Sequence, residues 1–495
     1  MAWTKNGNLA SDIYDNPRML LIGGQWVACS TGQTIPVLDP STGRQVATLQ
    51  RGGAEDVDMA VAAARKAFET GPWRQCNGVM REQMMRRLAD IMEAHCDELA
   101  LLEAIDGGKP IAVARQVDVL GNIARLRYAA GWAPRLIGDS FEPAINAPMH
   151  CFSTREAIGV AGLIVPWNFP LGMAISKMAD ALAAGCTMVL KPSELTSLAT
   201  LRMGELIGQA GFPDGVVNIV TGFGAEAGQA LADHRDVDKL SFTGSTAVGK
   251  RLLQAATGNL KRLTLELGGK SPAIVFADAD SDVSVRGVLR NFTYNSGQIC
   301  AAGSRVFVHR SIYDSFTDRL AKAADGIRVG PATATGTEMG PLISRSQQDR
   351  VNGYIAGGVA DGAQIVTGGG HAAQDGGYFI RPTILANSRA NMAIRKEEIF
   401  GPVATISPFD DDDLVAIAAE ANDTEYGLSA FIYTRNLSKA HQMARLIRAG
   451  TVRVNGAGLD YTMPFGGYKQ SGWGRENGQE GVLSFTELKT VMMAL

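Results

Sequence analysis

The stretch Ile158-Gly159-Val160-Ala161-Gly162-Leu163-Ile164-Val165, closed by Pro166-Trp167-Asn168-Phe169-Pro170, carries the first structural signal of the chain. It holds only apolar residues and glycine, is short, and stops at proline. It therefore reads as a strand buried on both faces, of the kind found in helix-covered parallel sheets. A helical pattern runs from about Leu171 to Ala184, and Thr187-Met188-Val189-Leu190 is a second strand. A helix near 196–210, the strand Val216–Val220, a helix near 225–233 and the strand Lys239–Phe242 follow. Strands alternating with helices of about 10–15 residues predict βαβ units with right-handed crossovers.

The same rhythm restarts after Leu263, with candidate strands Pro272–Phe276, Arg305–Val308, Ala404–Ile406, Ala430–Tyr433 and Thr451–Val454. That predicts a second α/β domain. Upstream, residues 20–50 read as short strands and turns. Val57, Val61, Ala64 and Phe68 then mark a helix from Ala54, and helical stretches lie near 79–105 and 109–130. At the far end, Ser484–Val491 alternates apolar and polar residues, a half-buried strand that must pair with its own domain or a partner chain. Asp410-Asp411-Asp412-Asp413, the only charge run, reads as a solvated helix N-terminus.

Composition narrows the function classes. The chain has 495 residues, enough for roughly three domains or subdomains. Apolar residues make up 46% and charged residues 20%, and the net charge is −3. This is globular, and it lacks the basic field that holds nucleic acid or an anionic membrane. Glycine supplies 57 residues without a collagen period, so the excess serves tight turns and close backbone approach. Residues 1–19 are polar with no apolar core of a secretory signal, and no run is long enough to span a membrane. The six cysteines lie far apart with no CxxC spacing, which suits a reducing, cytoplasmic setting and leaves room for a working thiol.

Six motifs carry chemistry. Gly222-Phe223-Gly224-Ala225-Glu226-Ala227-Gly228 follows a strand and opens a helix, the context of a phosphate-binding loop, although its spacing is one residue longer than the dinucleotide fingerprint. It is either a ligand contact or a tight turn. Phe242-Thr243-Gly244-Ser245 repeats that strand, glycine turn and helix. Cys300, in Asn295-Ser296-Gly297-Gln298-Ile299-Cys300, has small neighbours; it is a nucleophile or a small buried hydrophobe. None of the six histidines lies in a polar or glycine-rich motif, so a Cys–His pair finds no support. Glu266 sits in an apolar strand, Leu263-Thr264-Leu265-Glu266, where it is either hydrogen-bonded or tuned for proton transfer. Asn168 either caps the next helix or donates to an oxyanion. Lys191 and Glu194, after the second strand, face a ligand crevice.

Together, Pro166–Pro170, Phe242–Thr246, Glu266–Pro272, Gly297–Cys300, Glu398-Ile399-Phe400-Gly401-Pro402 and Pro464–Gly472 resemble the aldehyde dehydrogenase superfamily, in order and from about residue 20 to the end. The surroundings of Cys300 and the run Trp473-Gly474-Arg475-Glu476 resemble the phenylacetaldehyde and broad-specificity members. The resemblance implies an α/β fold of two parallel-sheet, Rossmann-like domains plus a small β bridging domain for oligomerisation. Its boundaries would be 1–124 with 148–257 for NAD, 258–477 for catalysis, and 125–147 with 478–495 for the bridge.

The resemblance also implies roles. Cys300 is the nucleophile, Glu266 the general base, and Asn168 an oxyanion donor with the Cys300 amide. Lys177 and Glu476 line a water or proton path behind the base. Ile164, Trp167, Lys191, Glu194, Gly224, Phe242, Gly244, Ser245, Leu267, Gly268, Glu398 and Phe400 bind the cofactor, NAD with NADP as a second choice. Phe169, Gly172, Ser176, Tyr294, Leu459 and Phe465 line the substrate tunnel. No metal is implied. Ser296 departs from the glutamine or glycine common in relatives, which bears on the substrate mouth. Gly172 and Ser176 are small and suggest a roomy tunnel, and the aromatic residues offer walls for an aromatic or medium aliphatic aldehyde.

The reaction so implied is NAD-dependent oxidation through a cysteine thiohemiacetal and thioester, with water as acyl acceptor. A CoA-acylating semialdehyde dehydrogenase, a thiol esterase, or a non-catalytic binding protein on the same fold are the alternatives; the presence of Glu266 and Cys300 weighs against the first and last. The expected partners are a small aldehyde and further copies of the chain, with the terminal strand extending a partner's sheet and Glu487 meeting Arg475 or Arg262 at that interface.

Overall fold

The computed structural model describes residues 4–5, 8–9, 16–370, 372, 376–410 and 413–495. Asp411 and Asp412 of the charge run lie outside the described residues. Asp413 caps the helix Leu414–Asn422 by accepting from the Val415 and Ala416 amides.

Two large sheets organise the molecule. In the first, Arg262–Glu266, Lys239–Thr243, Val160–Ile164, Thr187–Lys191 and Val217–Ile219 run parallel in that spatial order. Antiparallel strands flank them, Gly472–Trp473 on one edge and the Leu20–Ile22, Gln25–Val27 hairpin on the other. Val160–Ile164 is central, as its uniform burial requires. The chain moves outward from it in one direction through Thr187–Lys191, then returns to its other side with Lys239–Thr243. That reversal opens a crevice at the carboxyl ends of the two strands.

The second sheet orders Gln364–Thr367, Thr383–Ala386, Val403–Phe409, Arg305–His309, Pro272–Val275, Ser429–Tyr433 and Thr451–Val454, parallel except for the first pair. Every strand read from the sequence in this half is present, with ends shifted by a few residues at most.

Helices cover both faces. Pro170–Ala184 begins with proline at its first turn, where a missing N–H costs nothing, and ends at Gly185, whose φ of +96° makes the left-handed turn. The expected helix over 79–105 is two, Gly78–Ala94 and Cys96–Gly107, joined at His95. The second of the two lies nearly all in the core, with little amphipathic pattern to mark its start.

Two expectations about the bridge change. Met149–Ala157, placed by the sequence boundaries with the cofactor domain, pairs over nine residues with the terminal strand Thr486–Ala494 and with Ser140–Phe141. The terminal strand is thus paired inside its own chain, not left open for a partner on both edges. Helix Asn122–Ala130, placed from residue 125 with the bridge, instead buries Ile123, Leu126, Ala129 and Ala130 in the first domain's core. Hydrophobic burial decides its allegiance, and that is invisible in the order of residues.

Candidate active site

The crevice of the first sheet collects the cofactor candidates. Ile164 ends the central strand, and Trp167 just beyond it meets Phe400 edge-on at 5.2 Å. Lys191 Nζ, buried at the end of its strand, pairs with Glu194 at 3.2 Å. Gly224 leaves open space where a side chain would stand, beside the sharp turn at Gly222. A Cβ on Gly244 would strike the Phe242 ring at 2.4 Å. Ser245 caps helix Thr246–Ala255, its oxygen accepting from the Val248 amide at 3.4 Å. Leu267 fills the space against Gly249. A Cβ on Gly268 would lie 2.6 Å from the Glu398 carboxylate, whose other oxygen accepts from the Gly269 amide at 3.0 Å. Burial pushes the Glu398 carboxyl up to about 7, against the Gly269 hydrogen bond. Bare backbone, a helix N-terminus and carboxylates suited to ribose hydroxyls fit a dinucleotide.

The cysteine loop faces this crevice from the second domain. Asn295, Ser296 and Gly297 stand in succession in the left-handed region, with φ of +48°, +55° and +71°. Two of the three carry side chains, so the turn is strained and held by its surroundings. The holders are polar and buried. Asn168 Nδ2 donates to the Gln298 carbonyl at 2.8 Å, and Asn295 Nδ2 donates to the Asn168 carbonyl at 2.8 Å. Gln298 Oε1 accepts from the Ile343 amide, and the Ser296 hydroxyl donates to the Gly340 carbonyl at 2.8 Å. Ser296 thus anchors the loop. One N–H of the Asn168 amide remains for a ligand. Cys300, partly exposed, is a free thiol whose pKa is pushed up to about 12 by burial, with the Glu398 and Glu266 carboxylates adding to it.

Glu266 ends its strand only 3% exposed, and neither carboxylate oxygen has a hydrogen-bond partner. Burial pushes its pKa well above the carboxylate range; the charge of Glu476 adds to this, while Lys177 and Arg475 oppose it. Behind it, Lys177 Nζ pairs with Glu476 and donates to Ser241 Oγ at 3.0 Å, and Ser241 Oγ donates to Glu476 Oε1 at 3.2 Å. Asp180, raised to about 7 by burial, and Arg125 extend this buried cluster. Arg475 belongs here, not with Glu487. Glu487 accepts from Arg262 at 3.0 Å, within one chain.

Among the tunnel candidates, Phe169 and Tyr294 stack with centroids 6.3 Å apart, and Phe465 is fixed by paired backbone bonds to Glu476. Ser176 is buried with its hydroxyl unpartnered, and Leu459 is 57% exposed. The small size of Gly172 is used by Asn122, whose Nδ2 lies 2.9 Å from the place of a Cβ. That close approach takes up part of the room which two small residues suggest. Sequence reasoning missed Asn295 and Gln298 as holders of the loop, though both stand inside the quoted motif. It also missed Arg475 beside Glu266 and the buried pair Lys109–Asp118, 2.6 Å, whose ammonium sits 4.0 Å from the Phe169 ring centroid.

Comparison with known proteins agrees with this geometry. Residues 26–491 match the model of the aldehyde dehydrogenase family. A mitochondrial aldehyde dehydrogenase of Leishmania tarentolae is 46% identical over 477 residues, 96% of this chain and 94% of that protein. A mitochondrial benzaldehyde dehydrogenase of Antirrhinum majus is 46% identical over 478 residues, 96% and 89% of the two chains. An NAD+ complex of an aldehyde dehydrogenase from Bacillus cereus superposes with a TM-score of 0.95 at 44% identity, covering 98% of each chain. A cysteine on a strained loop, a buried unpartnered glutamate and a crevice that fits a dinucleotide accompany a match along nearly the whole length, and that match places this chain in the aldehyde dehydrogenase family, the oxidoreductases that convert aldehydes with NAD.

Proposed function

We propose that Cys300, Glu266 and Asn168 perform the oxidation, with water as acyl acceptor and the carboxylic acid as product. The observation that carries this reading is Glu266, buried with no hydrogen-bond partner on either oxygen and near enough for its charge to act on Cys300. A buried carboxylate without partners is costly as an anion, so its proton affinity rises, which is what a general base needs. The aldehyde carbon takes the Cys300 sulfur after the thiol loses its proton. The resulting oxyanion accepts from the free Asn168 N–H and the Cys300 amide; one such donor supplies about 3 kcal/mol. NAD, held by the crevice residues above, would accept the hydride from the thiohemiacetal carbon, whose C–H bond breaks to leave a thioester on Cys300. Glu266 then takes a proton from water, which releases the acid from the thioester, and Lys177 and Glu476 carry charge behind it. A CoA-acylating enzyme needs no such base, so Glu266 favours hydrolysis.

Three features support the remaining assignments. The domain division is that of the sequence, with Met149–Ala157 moved to the bridge and Asn122–Ala130 to the cofactor domain. Self-association is supported by the apolar exposure of the bridge, where Ile137, Leu488, Met492 and Leu495 are all more than half exposed and the terminal strand keeps one unpaired edge. Six free cysteines suit a reducing cytoplasm. Among the described residues no helix is long and apolar enough to cross a membrane.

The test is a single turnover with benzaldehyde and NAD. Cys300→Ala forms no NADH. Glu266→Gln forms up to one NADH per site and stalls as a thioester seen by intact mass. Unchanged steady turnover in Glu266→Gln would remove the glutamate from the mechanism.

A further inference from the structure

Two arginines, one over Tyr294 and one over Phe431, stand without acids among the described residues. Arg290, on the exposed face of helix Ser281–Thr293, lies over the Tyr294 ring with its guanidinium carbon 5.4 Å from the centroid. Arg453, on the edge strand Thr451–Val454, lies over the Phe431 ring at 4.3 Å. Phe431 packs in turn against Gly303, three residues after the nucleophile. The Nε of Arg453 is buried without a partner. Its terminal nitrogens make no hydrogen bond to the described residues and reach solvent.

The electrostatics are one-sided. The ionisable groups near enough to act on Arg453 are Tyr433, Cys300 and Arg290, and none is a carboxylate. The nearest acid to Tyr294 is Asp118, already paired with Lys109. Two cations held together with no counter-charge repel each other, and one of them gives up hydration besides. Elsewhere on this chain arginines commonly find carboxylates, as Arg395 does with Glu420 and Arg202 with Glu98. A planar, doubly donating guanidinium beside a reacting centre is suited to a carboxylate.

We propose that Arg290 and Arg453 form an anion clamp at the tunnel mouth, so that the preferred aldehydes are ω-oxo acids, carrying a carboxylate several atoms from the carbonyl. The inference rests on the tunnel placement beside Phe169 and Tyr294 given above. Both arginines here are positioning and specificity residues; neither touches the reacting atoms.

The test compares matched pairs of equal chain length: succinic, glutaric and adipic semialdehydes against butanal, pentanal and hexanal, all with saturating NAD. The readout is the ratio of kcat/KM, acid over neutral, at each length. In the wild type at least one ratio exceeds about tenfold, and raised salt lowers it. Arg290→Met and Arg453→Met each bring that ratio down at least tenfold, mainly through the KM of the acid, and Arg453→Lys restores part of it. Arg290 lies on an exposed helix face, so its variant folds even if Arg453→Met does not. The clamp is overturned if no acid exceeds its neutral match, or if the ratio survives in Arg290→Met and in the folded Arg453→Lys. Failure of the catalytic reading looks different: none of the six aldehydes yields NADH, which overturns the tunnel placement along with the clamp.

Discussion

Glu266 and Glu476 are buried to nearly the same degree, 3% and 7% exposed, yet their proton affinities move in opposite directions. Burial raises both. Glu476 also has the Lys177 ammonium and the Ser241 hydroxyl, and these overcome burial and hold it below the usual carboxylate range. Glu266 has no hydrogen-bond partner and feels the charge of Glu476 as well. One glutamate is therefore held as an anion, and the other is driven toward holding a proton. Burial alone does not make a base; burial with the partner withheld does.

The comparison breaks most severely at the base itself. Glu266→Gln lowers steady turnover by about 10²–10⁴-fold, read as the NADH rate after the burst. A smaller deficit that disappears at high pH would mean that the glutamate mainly helps ionise Cys300.

Next in size is the partner's removal. Lys177→Met leaves the Glu476 charge buried with the Ser241 hydroxyl but without its ion-pair partner, which costs about 3–5 kcal/mol in denaturant unfolding. Glu476→Gln strands the ammonium in the same way. It also removes the larger of the two charges acting on Glu266, since Glu476 outweighs Lys177 there. The acid limb of kcat therefore moves to lower pH in Glu476→Gln. A limb that stays in place would separate the two glutamates electrically.

A gentler test uses stability. The folded pKa of Glu266 lies above its unfolded value, so its contribution is intact below the carboxylate range and is lost as pH rises through the raised value. Glu266→Gln escapes that loss. The melting temperature of the variant gains on the wild type as pH rises from the ordinary carboxylate range through the raised pKa of Glu266. A constant difference across that window contradicts a raised pKa.

The smallest effect concerns the far end of the cofactor crevice. Glu194 pairs with Lys191, so its charge against a 2′-phosphate is already part-neutralised. Glu194→Gln improves kcat/KM for NADP relative to NAD by about tenfold or less, a change of roughly 1 kcal/mol. A wild type that already prefers NADP would contradict this role for Glu194.

Much of the molecule was legible before any coordinates. The apolar run ending at Ile164, with prolines behind it, fixed the central strand and so put Trp167 and Asn168 at its carboxyl end. Leu263–Glu266 placed a carboxylate at the end of the neighbouring strand by the same logic. Gly222–Gly228 announced a turn, and the structure adds open space where a Gly224 side chain would stand. The corrected readings share one cause. Ser296 was read only as a departure bearing on the mouth, and its hydroxyl reaches Gly340, 44 residues away. Gly172 promised space that Asn122 enters from another helix.

The sequence by itself determined the alternation of strands and helices, the glycine turns, and the residue types that chemistry requires. These rest on local periodicity, on backbone freedom and on the cost of a bare charge in an apolar strand, all of which act within a few residues. Only the tertiary structure decided that Met149–Ala157 takes the terminal strand, that Arg262 rather than Arg475 meets Glu487, and that Lys177 partners Glu476 across 299 residues of chain. Such pairings depend on which surfaces meet when the layers pack, and the same local pattern satisfies many partners equally well.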